Sequence, residues 1–178
     1  MAMLTREELL ARAAKVRLAI FDVDGVLTDG RLLFDLEGQE YKAFHARDGF
    51  GLKELRRYGI ETAVISGRAS AAVALRMKSL DVAHVYQGRE DKLAVYEQLL
   101  AELNLEPEQT AHLGDDLPDL PLLRRAGLAV AVADAHPALL DHVHWVTAKA
   151  GGTGAAREVC DLILEAQGVL GQTIERWY

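Results

Sequence analysis

Residues 18–30, LAIFDVDGVLTDG, constrain this chain more than any other stretch. Leu18, Ala19, Ile20 and Phe21 form a short apolar run, which predicts a buried strand. The run ends in two carboxylates, Asp22 and Asp24, which point the same way if the strand continues through them. Gly25 then lets the backbone turn close to whatever they hold. Two like charges this near repel, and a hard cation resolves the repulsion. Mg2+ suits the place, because it takes few carboxylates and keeps positions for water and phosphate. An aspartate can also attack phosphorus and become an aspartyl-phosphate. An isolated Asp-X-Asp is more often a plain acidic turn, but the run DVDGVLTDG is far more specific than that.

Apolar strand patterns alternate with helical ones along the rest of the chain. Thr5 with Glu8 reads as a capped helix start with an apolar face on Leu9, Leu10, Ala13 and Ala14. Residues 31–36 and 39–44 are β-like, with Glu37-Gly38 as a hairpin turn between them. A two-stranded ribbon cannot bury both faces, so it either lies on its own domain or packs against another subunit. A helix is expected over residues 49–58, capped by Asp48, with Arg47 and Lys53 near an end that can receive an anion. Residues 61–65 form a second strand that delivers Ser66, a hydroxyl at the strand end where open α/β sheets bind ligands. In a helix over 69–80, Arg68 and Arg76 fall near one face.

A third strand, 83–86, precedes a helix opened by Glu90-Asp91-Lys92. A lysine in the first turn opposes the helix dipole, which suggests that Lys92 points at an anion. The fourth strand, 109–113, runs into Gly114-Asp115-Asp116-Leu117-Pro118-Asp119, a second acidic cluster. Together with Asp22 and Asp24 this is more negative charge than a cleft tolerates without a cation. A short helix over 120–126, a strand over 127–132, a helix from His136-Pro137 and a last strand over 144–147 complete the pattern. Gly151, Gly152 and Gly154 read as a flexible break before a final helix over 155–167, in which Cys160 sits close to the apolar stripe. Trp177 and Tyr178 end a short tail that either docks or stays exposed. The expected fold is α/β, a doubly wound, mostly parallel sheet with a hairpin insertion and no large cap, in a single domain of residues 1–178.

A formal net charge of −7 argues against a nucleic-acid or anionic-membrane partner, although a bound metal and local cations can still draw an anionic substrate into a cleft. The single cysteine excludes an internal disulfide and a multi-cysteine zinc site. Charges interrupt any apolar core of an N-terminal signal, and no apolar run reaches spanning length, so a cytoplasmic protein is expected.

In order and context, Asp22, Asp24, Ser66, Lys92 and Asp115 resemble the four motifs of the haloacid dehalogenase-like phosphohydrolases, here DVDGV, ISG, the lysine and GDDLPD. The likeness covers nearly the whole chain. A narrower one joins DVDGVLTDG, the hairpin, KAFHARDG, ISGR, YQG, GDDLPD and GGTGAAREVCDLIL, which are similar to the 3-deoxy-D-manno-octulosonate 8-phosphate (KDO 8-phosphate) phosphatases of lipopolysaccharide precursor synthesis. That resemblance implies a tetramer assembled through the hairpin, in which a neighbour helps close each site. It also implies Asp22 as nucleophile, Asp24 as general acid and base, and Ser66 and Lys92 on the phosphoryl oxygens. Mg2+ is implied on Asp22, Asp115 and the Asp24 carbonyl, oriented by Asp116 and Asp119. By position, Asp24, His45, Ala46, Arg47, Asp48, Gly49, Lys53, Arg68, Arg76 and Lys92 line the substrate, and Gly151, Gly152, Gly154 and Arg157 form a mobile gate. Phosphatases of nine-carbon sugar acids share much of the pattern and are the alternative. Two other classes predict different behaviour: a phosphoacceptor receiver module holds its phosphate without turnover, and an idle oligomeric scaffold loses assembly rather than turnover when Asp22 is replaced.

Overall fold

The computed structural model describes residues 4–178. The chain runs α1 (Arg6–Ala13), β1 (Leu18–Phe21), β2 (Leu33–Phe34), β3 (Glu40–Tyr41), α2 (Ala46–Arg57), β4 (Glu61–Ile65), α3 (Ala71–Ser79) and β5 (His84–Tyr86). It continues through α4 (Lys92–Leu103), β6 (Thr110–Gly114), α5 (Leu120–Leu123), β7 (Leu128–Ala131), β8 (Trp145–Val146), α6 (Ala155–Ala166) and α7 (Leu170–Glu175). Six strands form one sheet in the order β5-β4-β1-β6-β7-β8, every neighbour parallel, and β2 with β3 forms a separate antiparallel ribbon. This is the doubly wound α/β fold the sequence pattern implies.

The four apolar residues of β1 divide between two layers, as a strand buried on both faces requires. Ala19 and Phe21 join Leu52, Leu55, Met77, Val159 and Ile163 in the core under α1, α2, α3 and α6. Leu18 and Ile20 face the other way, onto Val95, Tyr96, Leu99 and Leu100 of α4. β1 lies between β4 and β6, so the chain winds outward on one side to β5 and then crosses back to β6. The carboxyl ends of β4, β1 and β6 therefore stand side by side at the switch point, where such sheets hold ligands.

Several expectations are corrected. β1 stops at Phe21, because the carbonyl of Val23 accepts from the N–H groups of Val26, Leu27 and Thr28 and coils the chain. Asp22 and Asp24 therefore do not continue one strand face. Helix α2 begins at Ala46, with His45 rather than Asp48 as its cap: His45 Nδ1 accepts from Arg47 N at 3.3 Å. Helix α3 begins at Ala71, so Arg68 lies in the preceding loop and shares no helical face with Arg76. The glycine turn before α6 is no loose break. A Cβ on Gly151 would stand 1.8 Å from the Gly25 carbonyl oxygen, its N–H donates to Asp134 Oδ1 at 2.9 Å, and Gly152 N donates to Val26 O. Only glycine lets these two backbones meet, and the turn packs against the loop after Asp24.

The tail forms α7, a helix the sequence pattern did not reveal. Arg176 donates twice to Glu54 at 2.7 Å, and the Trp177 ring lies 5.8 Å from that of Phe50, while Tyr178 is fully exposed. Cys160 is fully buried, which raises its thiol well above the usual range and agrees with a packing role. None of the described helices is long and apolar enough to cross a membrane.

Candidate active site

Asp22 extends the β1 ladder by one step, its N–H donating to Leu113 O at 3.2 Å. By the alternation of the strand it shares the face of Leu18 and Ile20, the face covered by α4. There the first residue of α4 meets it: Lys92 Nζ lies 2.9 Å from Asp22 Oδ2 and 2.7 Å from Asp119 Oδ1. The Lys92 side chain is only 2% exposed. An ammonium this deep in an unfavourable place for the helix dipole is explained by the two carboxylates it bridges. The anion that the sequence placed ahead of Lys92 is thus, first of all, the protein's own.

Asp115 follows Gly114 at the end of β6, and Asp119 folds back beneath it. Asp119 is saturated: Oδ1 takes Lys92 and His112 Nε2 at 3.1 Å, and Oδ2 accepts from Asp115 N at 3.0 Å. Ligand oxygens of Asp22, Asp115 and Asp119 all lie within 4.8 Å of one another. Asp22 Oδ1 is buried with no hydrogen-bond partner. Gly25 makes room here, since its φ is +87° and a Cβ on it would stand 2.1 Å from Asp115 Oδ2.

The electrostatics show what the cluster lacks. Burial, then the charge of Asp119, pushes the Asp22 carboxyl up to about 6 against the pull of Lys92. Burial, with Asp119 and Asp22 behind it, pushes Asp115 up to about 8. Burial works in the same direction on Asp119, but His112 and Lys92 outweigh it and hold that carboxyl well below the usual range. Lys92 is likewise raised, because its two acids outweigh its burial. Asp22 and Asp115 resist ionisation even with Lys92 beside them, and a divalent cation shared by their carboxylates would remove that resistance. The donor set is all oxygen, as a hard cation prefers.

The other sequence-assigned residues stand in several different places. Ser66, 4% exposed, stands just past β4 at the switch point, where its hydroxyl accepts weakly from Arg68 N at 3.4 Å. Asp24 meets two cations, Lys42 and Arg68. Arg76 lies against Gly49, where a Cβ would come within 2.3 Å of its Nη2, and stacks over Phe44 at 6.0 Å; its Nε is buried without a partner. Asp48 is buried and accepts from Arg157 N at 2.8 Å, so it caps α6 in space rather than α2 in sequence; burial pushes its carboxyl up. Asp116 is exposed and caps the short turn after it through Leu117 N, leaving the bracing of Asp115 to Asp119. Lys53 is exposed along α2. Ala46, Arg47 and Arg157 line an open groove of about 680 Å3 with Phe50, Ile174 and Trp177, and none of the carboxylates of the cluster lines it.

Three participants were missed in the sequence: His112, Glu40 and Lys42. His112 had a signal, a lone polar side chain inside the buried strand TAHLG. Lys42 opens the motif KAFHARDG but was given no role, and Glu40 had no signal, since alternating charges on a hairpin read as a solvated ribbon.

A sequence model of haloacid dehalogenase-like hydrolases matches residues 78–159. The 3-deoxy-D-manno-octulosonate 8-phosphate phosphatase KdsC of Yersinia pestis is 50% identical over 161 residues, 90% of this chain and 86% of that protein. KdsC of Escherichia coli K12 is 47% identical over 93% of this chain and 88% of its own length. The crystal structure of 3-deoxy-D-manno-octulosonate 8-phosphate phosphatase from Moraxella catarrhalis, in complex with magnesium, phosphate and KDO, superposes with a TM-score of 0.95. It is 41% identical and covers 97% of this chain and 99% of its own. The chain belongs to the haloacid dehalogenase-like hydrolases, in the family of the KdsC phosphatases.

Proposed function

We propose that this hydrolase is a Mg2+-dependent phosphatase that converts KDO 8-phosphate to KDO and phosphate through an aspartyl-phosphate on Asp22, as a step in lipopolysaccharide precursor synthesis. One observation carries the mechanism: Asp22 has one carboxylate oxygen held by Lys92 and the other buried without a partner, and its carboxylate clusters with that of Asp115. A carboxylate fixed by an ammonium on one side and a cation on the other presents an oxygen of defined direction to phosphorus. The substrate class is supported by the family and by the KDO and phosphate in the Moraxella complex.

Mg2+ would be held by the Asp22 and Asp115 carboxylates and the Asp24 main-chain carbonyl, and would supply the positive charge that lets a phosphate dianion lie beside these acids. An Asp22 carboxylate oxygen forms the new P–O bond while the P–O bond to the sugar breaks, and Asp24 gives its proton to the departing alkoxide. Water then attacks phosphorus, Asp24 takes its proton, and the bond to Asp22 breaks. Lys92 and Ser66 hold phosphoryl oxygens as charge moves across them. His45, Arg47, Arg76 and their neighbours at the start of α2 receive the sugar acid. The hairpin shows Leu33 and Phe34 more than half exposed and Leu36 fully exposed. That apolar ribbon supports assembly of a homotetramer through it. A single buried cysteine suits a cytoplasmic enzyme.

The assay is phosphate release with Mg2+, comparing KDO 8-phosphate with a nine-carbon sugar acid 9-phosphate. A strong preference for the eight-carbon substrate is expected. Preference for the nine-carbon acid would keep the mechanism and move the enzyme to another pathway, and release from neither would remove the phosphatase reading for both.

Metal binding leaves its own mark on stability. Asp22 and Asp115 have folded-state values above the ordinary carboxyl value of about 3.9, so the metal-free fold favours their protonated forms. Their contribution is present at low pH and is lost as pH rises from about 4 through about 6 and about 8. Asp119 has the opposite sign, but its window lies below about 4. Saturating Mg2+ is therefore expected to raise Tm by roughly 5–10 °C at pH 8 and by far less at pH 5, read by thermal melts with and without chelator. Equal shifts at both pH values would mean that these carboxylates do not hold the ion.

A further inference from the structure

Lys42 lies just past β3, at the foot of a hairpin whose tip is exposed, yet its side chain is 1% exposed. Its ammonium donates to Asp24 Oδ1 and stands 3.3 Å from Glu40 Oε1. Arg68, from the loop after β4, closes the circuit: its Nη2 donates to Glu40 Oε1 at 2.9 Å, and its Nε lies 3.6 Å from Asp24 Oδ2. Two acids and two bases thus alternate around a ring. Arg68 and Lys42 hold Glu40 below the usual carboxylate range, so it stays an anion and shares both cations with Asp24.

Burying an ammonium costs several kcal/mol unless it is paired, and fixing a lysine side chain costs about 2 kcal/mol of rotamer entropy. An apolar residue would anchor the hairpin without either cost. What the lysine adds is direction, because it holds one oxygen of Asp24 in place while Glu40 keeps the ammonium from drifting. Arg68 is half exposed, whereas Lys42 is turned inward.

We propose that Lys42, seated by Glu40, is a positioning residue that aims the Asp24 carboxyl at the leaving oxygen. The hairpin is then part of the reaction machinery and not only an assembly element. This rests on the reading of Asp24 as general acid, and the test separates the two.

Single-turnover release of the leaving group, with Mg2+ bound, would be measured for KDO 8-phosphate and for p-nitrophenyl phosphate. A sugar alkoxide needs a proton to leave and nitrophenolate does not, so a fault in proton delivery shows only on the first. Lys42→Met is expected to slow release from KDO 8-phosphate by about tenfold or more, with KM little changed and nitrophenol release close to the parent rate. Lys42→Arg, which keeps the charge, is expected to recover most of the loss. Lys42→Gln, read in the same way, decides the question if the Met variant does not fold. Equal losses on both substrates, or a change in KM alone, would overturn the positioning role. Asp24→Asn is run beside them. A leaving-group effect in Asp24→Asn but not in the Lys42 variants sinks this inference alone, and its absence in Asp24→Asn sinks the acid role and the inference together.

Discussion

Asp22→Asn is expected to abolish phosphate release while leaving the fold intact, a loss of roughly 10^5-fold or more in kcat, the scale associated with removing a nucleophile. The amide keeps the shape of the carboxylate and can still accept from Lys92, so the surrounding contacts survive. What it loses is an anionic oxygen able to form a bond to phosphorus. The effect on stability runs the other way. At pH 8 without metal, the Asp22 carboxylate is held in its charged form against burial and the charge of Asp119. The neutral amide removes that burden, so Tm in chelator is expected to equal or exceed that of the parent. Activity falling while metal-free stability holds is a signature that misfolding cannot imitate. Phosphate release at the parent rate, or a long-lived phosphorylated protein with Asp22 absent, would remove Asp22 from the nucleophile's place and revive the receiver reading.

The second large effect belongs to Lys92. Its ammonium lies 2.9 Å from Asp22 and 2.7 Å from Asp119 and is almost entirely buried. Lys92→Met fills the same volume without the charge and leaves three acids facing one another. Breaking a buried ion pair on one side costs about 3–5 kcal/mol, or roughly 6–20 °C in Tm for a domain of this size. Protonation of Asp22 or Asp115 absorbs part of the loss, so the drop is expected to be larger at pH 8 than at pH 5. Mg2+ is expected to restore part of the melting temperature, because it supplies charge to the same oxygens. Turnover is not restored with it: kcat is expected to stay about 10^2–10^3-fold low, since a preorganised donor to the phosphoryl oxygens is gone. Thermal melts and phosphate release on one preparation check both halves. Unchanged Tm and kcat would mean that Lys92 neither balances the cluster nor takes part in the reaction.

These two residues mark how far the chain could be read in advance. Asp22 and Lys92 each stand where a local pattern ends, the first after an apolar run, the second at the opening of a helix. Such positions are visible because strand and helix periodicity and turn chemistry are properties of neighbouring residues. The order of strands and helices, the strand-end places of Ser66 and Asp115 and the capping of α1 were legible for the same reason. The start of α2 was misplaced because His45, an uncommon cap, did the work expected of Asp48. Helix α7 was missed because its six residues are held by Arg176 on Glu54, a contact made across the fold.

By itself the sequence determined the α/β class, the single acidic centre at the strand ends and the family chemistry those ends can support. Only the tertiary structure decided which charges meet. Parallel pairing of β1 with β4 and β6 brings Asp22 beside Ser66 and Asp115, and the packing of α4 on the same face of β1 drops Lys92 between Asp22 and Asp119. The hairpin places Lys42 on Asp24 rather than in water. Whether a charge is a ligand, a counter-ion or a surface group depends on its partners and its distance from water. Both are set by contacts between residues far apart in the chain, which no local pattern encodes.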